Sequence, residues 1–327
     1  MKSHVSCAVC ESNDVSVVAT TDRDGSPLQN VLCENCGLVW VDPRPDDKEI
    51  EKFYSEDYRK EYKGDLEPKM KHCYREIHRA IQRLERLAEY YSPGDKILDV
   101  GAGAGFFAYV LRENNADVYG IEPNKGYAEF AQNKLGLKTI QSGYLDDCNK
   151  FNYYNIITIN HVLEHLPNPL GSLKHMRDLL VENGKINIEV PNIEATYHSP
   201  NKVFHVAHLY WYSPSTLAAL LLKAGFKIID ITLTKGTQHI NVIAEKTDHV
   251  TAGAIDRNNA SHIKKFLDSR SVFKHYLSPI PYGRFFNKMW GYVYEQKYIR
   301  QFSDKVELIK SIAIPKLLPN KSTQPPC

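Results

Sequence analysis

Apolar positions along this chain follow two periods. From His72 to Tyr91 they recur at helical spacing, with Ile77, Ile81, Leu84 and Leu87 on one stripe. Beyond the turn Ser92-Pro93-Gly94, short apolar runs read as strands and alternate with helical stretches. The strands are Lys96–Val100, a second one ending at Tyr119-Gly120-Ile121-Glu122, then Lys138–Ser142, Asn155–Asn160 and Lys185–Val190. Phe106–Arg112, Tyr127–Leu135 and Gly171–Leu180 read as the helices between, and Gly184 as the turn before the fifth strand. Ser213-Pro214 supplies a cap and a first-turn proline for a helix ending at Gly225. Phe226–Leu233 and His239–Glu245 then read as a hairpin, which makes seven strands. Ahead of this block, alternation over Val15–Thr20 predicts short strands. Pro43 and Pro45 forbid a helix, and Asp46 or Asp47 can cap one that follows. Behind it, helices are expected around Ser261–Leu277 and Tyr282–Ser311, and the closing PNKSTQPPC reads as disordered.

The first strand runs into Gly101-Ala102-Gly103-Ala104-Gly105, and strand, glycine turn and helix together make a nucleotide-binding unit. Its spacing is G-x-G-x-G, whereas the dinucleotide fingerprint is G-x-G-x-x-G. Asp99 sits inside the strand end, where a carboxylate would repel a pyrophosphate and attract an ammonium group. Glu122 closes the next strand, where acids hold both hydroxyls of a ribose. One amino-acid-like cation plus one ribose describes S-adenosylmethionine (SAM). The alternative is a dinucleotide-binding fold of another class.

LDVGAGAG, GIEPN and YNIITINHVLEHLPNP in combination resemble the class I SAM-dependent methyltransferases, over about residues 91–246. The resemblance implies a Rossmann-like α/β sheet of seven strands, mostly parallel with an antiparallel last pair. It implies that Asp99, Gly101, Gly103 and Gly105 hold the methionine end and Glu122 the ribose. An acid often follows the third strand to meet the adenine; here that place reads Gly143-Tyr144-Leu145-Asp146-Asp147. Tyr144 is therefore the first candidate, with Leu145 beside it and Asp146 a substitute. Asn160 is delivered to the cleft with His161-Val162-Leu163-Glu164-His165.

The N-terminal segment adds a different chemistry. Cys7-Ala8-Val9-Cys10 and Cys33-Glu34-Asn35-Cys36 are two C-x-x-C knuckles separated by 22 residues. That spacing suits one tetrahedral Zn²⁺ held by four thiolates, with no open position and so a structural role, in a zinc ribbon. Four cysteines without metal, or a redox pair, are the alternatives. The order of knuckles, VWVDPRP and FYSEDY resembles methyltransferases of sugar and surface-glycan modification, including sugar C-methyltransferases. Those carry a further large C-terminal domain, which this chain is too short to hold. The organisation expected is a zinc-ribbon module over 1–42, a helical linker or cap over 43–91, the SAM-binding domain over 92–248 and a helical extension over 249–327.

The resemblance implies methyl transfer to a small-molecule or glycan acceptor, a sugar hydroxyl above all, and the acceptor could be nucleotide-linked. A long loop between Asn192 and Tyr212 crowds Tyr197, His198, His205, His208, Tyr210 and Tyr212 together. Loops of this length in compact domains tend to be functional. HLYWYSPSTL resembles the family's segment before its next helix, which makes His208 the candidate general base, with His165 and His205 as rivals. H-V-L-E-H also matches a zinc-peptidase pattern, but that needs a helix, whereas this segment follows a strand. His161, Glu164 and His165 could instead bind a divalent ion, or Glu164 and His165 could brace the loop.

Charge and composition narrow the remaining choices. Hydrophobic content of 43% and charged content of 24% are ordinary for a globular protein, and a net charge of +2 draws the chain neither to nucleic acid nor to membrane. No apolar run reaches the ~20 residues of a spanning helix. The start, MKSHVSCAVCES, has no apolar signal region, which points to the cytosol. Two rivals stay open: an RNA-modifying methyltransferase and a non-catalytic SAM-binding scaffold. The ribbon argues against RNA, since up to Gly37 only Lys2 and Arg23 stand against five acids. The tail from Arg257 is rich in Lys, Arg and aromatics, with Asp268, Glu295, Asp304 and Glu307 its four acids. It reads as a cap or homodimer arm, as a holder of a phosphorylated acceptor, or as a membrane or RNA contact.

Overall fold

The computed structural model describes residues 4–44, 67–248 and 255–313. The helix expected after Asp46 or Asp47, the FYSEDY stretch and the closing PNKSTQPPC lie outside these residues. Two compact units are formed, one from within 1–64 and 148–289, the other from within 65–147 and 290–327.

In the second of these, β4 (Lys96–Val100), β5 (Asp117–Glu122) and β6 (Ile140–Ser142) pair in parallel. The connecting helices are α2 (Phe106–Glu113) and α3 (Lys125–Asn133). The helix before them, α1 (Met70–Leu87), buries the expected stripe of Ile77, Ile81, Leu84 and Leu87 and adds Cys73 and Ala80. Gly120 keeps the strands close: a Cβ there would stand 2.5 Å from Ile140 Cδ1 and 3.1 Å from Ala102 Cβ. A last helix, α9 (Lys305–Ala313), buries Leu308, Ile309 and Ile312 and packs on α1.

The other unit contains β7 (Tyr154–Asn160) and β8 (Leu180–Val190), parallel and linked by α4 (Pro169–Leu179). β10 (Phe226–Leu233) follows α5 (Pro214–Lys223), and β11 (Ile240–Lys246) runs antiparallel to both β10 and β8. Ser213 and Thr216 cap α5 reciprocally, and Gly225 ends it at φ 86°, as the sequence pattern predicts. Together the strands form a seven-stranded sheet in the order β10-β11-β8-β7-β4-β5-β6, the mostly parallel Rossmann-like sheet expected.

Three boundaries differ from the reading of the sequence. β8 starts at Leu180, not Lys185, because Leu180 already pairs with Tyr154; residues 181–184 bulge out before Lys185 resumes opposite Ile156. Asn183, at φ 58°, absorbs the bend. The tail is cut into α6 (Arg257–Ser269), α7 (Val272–Leu277), α8 (Ile280–Ile299) and α9. Ser271 recaps the chain through its hydroxyl, which accepts from Lys274 N–H, so one expected helix becomes two.

The third difference concerns the N-terminal module. β1 (Val15–Thr21), β2 (Pro27–Cys33) and β3 (Val39–Val41) form an antiparallel sheet, and a fourth strand, β9 (Tyr210–Trp211), joins its edge from the loop read as irregular. Trp40 pairs with Tyr210 and Val39 with Trp211. Leu32, Val39 and Val41 share one core with Phe204 and Trp211 of the loop and Ala260 and Ile263 of α6. Gly37, at φ 79°, has no room for a side chain, because Asn259 Nδ2 reaches past it to donate to Cys36 O at 2.7 Å. The N-terminal sheet, the loop and the tail helix thus form one packed body.

Candidate active site

The cofactor half begins at the carboxyl end of β4. Gly101, Gly103 and Gly105 all have left-handed backbones, at φ 71°, 57° and 80°. A Cβ on Gly103 would meet nothing within 4 Å, so open space lies beside the turn. Gly105 is walled in: its Cβ would stand 2.8 Å from both Ala131 Cβ and Leu137 Cδ1. The two glycines therefore serve different ends, one for ligand approach and one for packing. Glu122 ends β5 and grips the turn, accepting from Gly103 N–H at 2.7 Å and from Asn124 N–H at 2.8 Å. Asp99 is buried within β4, opposite Gly120. Leu145 is buried at the start of a 3₁₀ turn, whereas Tyr144 is half exposed, its N–H donating to Asp147. An open face over Gly103, a buried acid and a carboxylate at the end of β5 are compatible with SAM.

The histidine half starts where β7 ends. Asn160 closes the strand, and its buried Oδ1 has no hydrogen-bond partner among the described residues. His161 follows in a left-handed conformation, φ 56°, with its N–H on Glu189 O at 2.7 Å. Its ring bridges two carboxylates, Nε2 lying 3.2 Å from Glu189 Oε1 and Nδ1 3.4 Å from Glu164 Oε1. Burial works to lower its pKa, but Glu164 and Glu189 outweigh burial and raise it to about 9. Glu164 is 1% exposed; burial would raise its pKa, yet His161 and His165 hold it down at about 2. His161 therefore carries a proton at neutral pH and Glu164 is ionised.

Two groups of side chains converge there. His161, Glu189 and His239 form one, Glu164, His165 and His208 the other, each with its ligand atoms within 4.8 Å of one another. The expected trio of His161, Glu164 and His165 is thus divided between two clusters. His239 Nδ1 donates to Glu189 at 3.3 Å, which leaves its Nε2 to accept from the Tyr197 hydroxyl at 3.1 Å. His165 donates through Nδ1 to Ala207 O at 2.6 Å. Its ring stands edge-on to His208, centroids 4.9 Å apart. His208 is driven well below the usual imidazole range, by burial first and then by His165, and is neutral at physiological pH. His205 is also nearby, but its Nδ1 accepts from Ala207 N–H at 2.9 Å, which ties it to the loop backbone. The peptidase pattern fails, since Leu163–His165 is a 3₁₀ turn rather than an α-helix.

Glu189 and His239 had no place in the sequence reading. Glu189 carries one visible signal: an acid one residue before the end of the apolar strand INIEVPN, at the edge where such sheets bind ligands.

The four knuckle cysteines also converge. Cys7 and Cys36 Sγ are 3.4 Å apart and Cys10 and Cys33 Sγ 3.3 Å apart, all four within 4.8 Å. A ZnS₄ tetrahedron with bonds of ~2.3 Å has edges of about 3.8 Å, so the cluster is compatible with zinc. Cys7 is pushed up to about 12, by Cys33 first, with burial adding to it.

Residues 70–231 match the family described as a methyltransferase domain. The matched span is a methyltransferase domain. Its glycine turn, Glu122 and histidine loop all fall within or beside the matched span. A ubiquinone biosynthesis O-methyltransferase of Coxiella burnetii is 27% identical over 158 residues, which cover 42% of this chain and 66% of the relative. A tRNA U34 carboxymethyltransferase of Dichelobacter nodosus is 29% identical over 147 residues, 41% of this chain and 46% of its own length. The chain thus spans less than two thirds of the length of each. Among solved structures, the Burkholderia thailandensis 1,6-didemethyltoxoflavin-N1-methyltransferase, with its substrate and S-adenosylhomocysteine bound, aligns at 18% identity and TM-score 0.47 over 67% of this chain and 96% of that one. No helix among the described residues of this methyltransferase chain is long and apolar enough to cross a membrane.

Proposed function

We propose that the protein transfers the methyl group of SAM to a hydroxyl of a small-molecule acceptor, with His208 as general base. Asp99 and the glycine turn hold the methionine end, Glu122 the ribose, and Tyr144 or Leu145 the adenine, with Asn160 beside the methyl donor. SAM supplies a methyl group on a good sulfonium leaving group. The protein's share is placement, worth ~7–11 kcal/mol, and removal of the hydroxyl proton.

The observation that supports this reading is the cluster of Glu164, His165 and His208. A neutral His208 can take the proton, and buried, ionised Glu164 then stabilises the imidazolium. His165 orients the pair through its bond to Ala207 O. The O-methyltransferase relative adds support for a hydroxyl acceptor. A sugar hydroxyl is the narrower reading and rests on the likeness of the N-terminal region to glycan-modifying enzymes. The four cysteines hold a structural zinc in this reading. RNA is the second reading, favoured by the tRNA-modifying relative and by the basic tail. Incubation with methyl-labelled SAM and parallel panels of sugar nucleotides, phenols and tRNA tests it. Label in the first two panels supports the hydroxyl reading; label in tRNA alone overturns it.

A further inference from the structure

The tail and the histidine loop enclose a second recess. The loop at His198–Lys202, α7 and the first turns of α8 line an open cleft of about 480 Å³. Its cations are Lys202, Arg284 and Lys288, joined by His198 and His275, and no carboxylate lines it among the described residues. From Ser269 to Tyr294 the chain has no acid at all. Nor do the bonds made by these cations neutralise them. Arg284 donates to Tyr197 O and Lys202 to Arg23 O, both uncharged carbonyls. Lys288 is exposed and makes no ion pair among the described residues.

The field this leaves is felt by the histidines. His198 is pushed down to about 4, by burial first and then by Arg284 with further cations. His275 is lowered by burial and then by Arg270 and Arg284. Tyr276 and Phe285 add exposed aromatic faces at the rim. Uncompensated guanidinium and ammonium groups beside hydroxyl and amide donors (Ser199, Asn287) are what a phosphate oxygen needs, and arginine suits its geometry best.

We propose that this cleft binds a phosphate-bearing group, a diphosphate in particular, and so anchors a phosphorylated acceptor. Anion binding stands independently of the catalytic reading; only the link to the acceptor rests on methyl transfer as proposed above. The cleft selects charge through Arg284 and Lys288, and the aromatic rim covers the organic part of the molecule.

The test is calorimetric titration of the full chain with inorganic pyrophosphate and with UDP, alongside S-adenosylhomocysteine as an independent check on the cofactor site. Co-sedimentation with vesicles containing phosphatidic acid, with and without UDP, distinguishes a lipid headgroup from a soluble diphosphate. Saturable binding at one site is expected, weakened about tenfold by R284Q and again by K288E, each the worth of one charge-assisted hydrogen bond. Lys288 is exposed, so K288E keeps the test open if R284Q disturbs the Tyr197 loop. Binding of vesicles that UDP does not displace, but that K288E abolishes, assigns the phosphate to a lipid. Absence of binding to all three probes, or binding indifferent to K288E, overturns the proposal. Failure of S-adenosylhomocysteine alone would instead overturn the catalytic reading and leave the anion site standing.

Discussion

His161 donates through Nε2 to Glu189 Oε1 at 3.2 Å and turns its other nitrogen to Glu164, 3.4 Å away. One imidazolium thus holds two buried carboxylates. The pH dependence follows from the direction of each shift. His161 is raised from 6.5 to about 9, so its contribution is complete below 6.5 and is lost as pH rises through about 9. Glu164 is lowered from 4.5 to about 2, so its contribution is present above 4.5 and is lost as pH falls toward 2. Depressed histidines such as His198 and His205, both about 4, oppose His161: they destabilise the fold as pH falls below 6.5. The effect of His161 is therefore best read by difference. Melting temperatures of wild type and H161Q should converge as pH rises from 6.5 past 9. A gap that stays constant over that range would show that His161 is not raised to about 9 by its two acids.

The glycine turn separates ligand binding from folding. Gly103 faces open space, and an alanine there pays only the left-handed backbone cost of ~1–2 kcal/mol while crowding the cofactor. Gly105 abuts Ala131 and Leu137, so G105A should cost ~1–3 kcal/mol or more by overpacking as well as strain. Chemical denaturation with and without S-adenosylhomocysteine reads both. G103A should fold and bind at least about tenfold more weakly, and G105A should lose stability first. E122Q should resemble G103A, though it also weakens the grip on Gly103 and Asn124 N–H. Unchanged affinity in both G103A and E122Q would place the cofactor elsewhere.

The cysteine cluster predicts one zinc ion per chain by elemental analysis. Its removal should be felt far along the chain. Val41 N–H donates to Leu209 O at 3.0 Å, and β3 pairs with β9, so the N-terminal sheet supports the loop that carries His205 and His208. Stripping the metal should therefore speed hydrogen exchange at Val41 and Trp211 and lower turnover without weakening S-adenosylhomocysteine binding. A metal-free protein with full protection at Val41 would remove zinc from the account.

Local features were the legible ones. Lys96–Gly105 could be read because strand, glycine turn and helix are consecutive, and each step has its own residue chemistry. The cysteine cluster could be read because its spacing encodes it. What was hidden depends on partners distant in the chain. β9 is two residues long, too short to show a period, and exists because Val39 and Trp40 offer an edge. Glu189 sits in a strand that reads simply as apolar and His239 just ahead of another, and only the register of β8 against β7 and β11 brings them to His161. The break at Arg270-Ser271 was missed because aromatic and basic residues continue through it, masking the serine cap.

His208 is the residue on which the catalytic reading turns. His165 is pinned by Ala207 O, His205 by Ala207 N–H, and His161 is protonated between two acids. That leaves His208 as the neutral imidazole beside buried Glu164 whose nitrogens have no such fixed duty among the described residues. H208Q keeps a hydrogen-bonding side chain of similar length but cannot take up a proton. Its turnover should fall ~10²–10⁴-fold, the range for loss of a general base, with S-adenosylhomocysteine affinity within about a factor of two. The pH profile gives a second reading. Because burial holds His208 well below 6.5, wild-type turnover should persist as pH falls through 6.5 and decline only in more acidic solution. H205Q, by contrast, should lose stability more than turnover. If H208Q turns over at near wild-type rates while E164Q does not, the proton leaves through Glu164 and His165, and His208 only shapes the pocket.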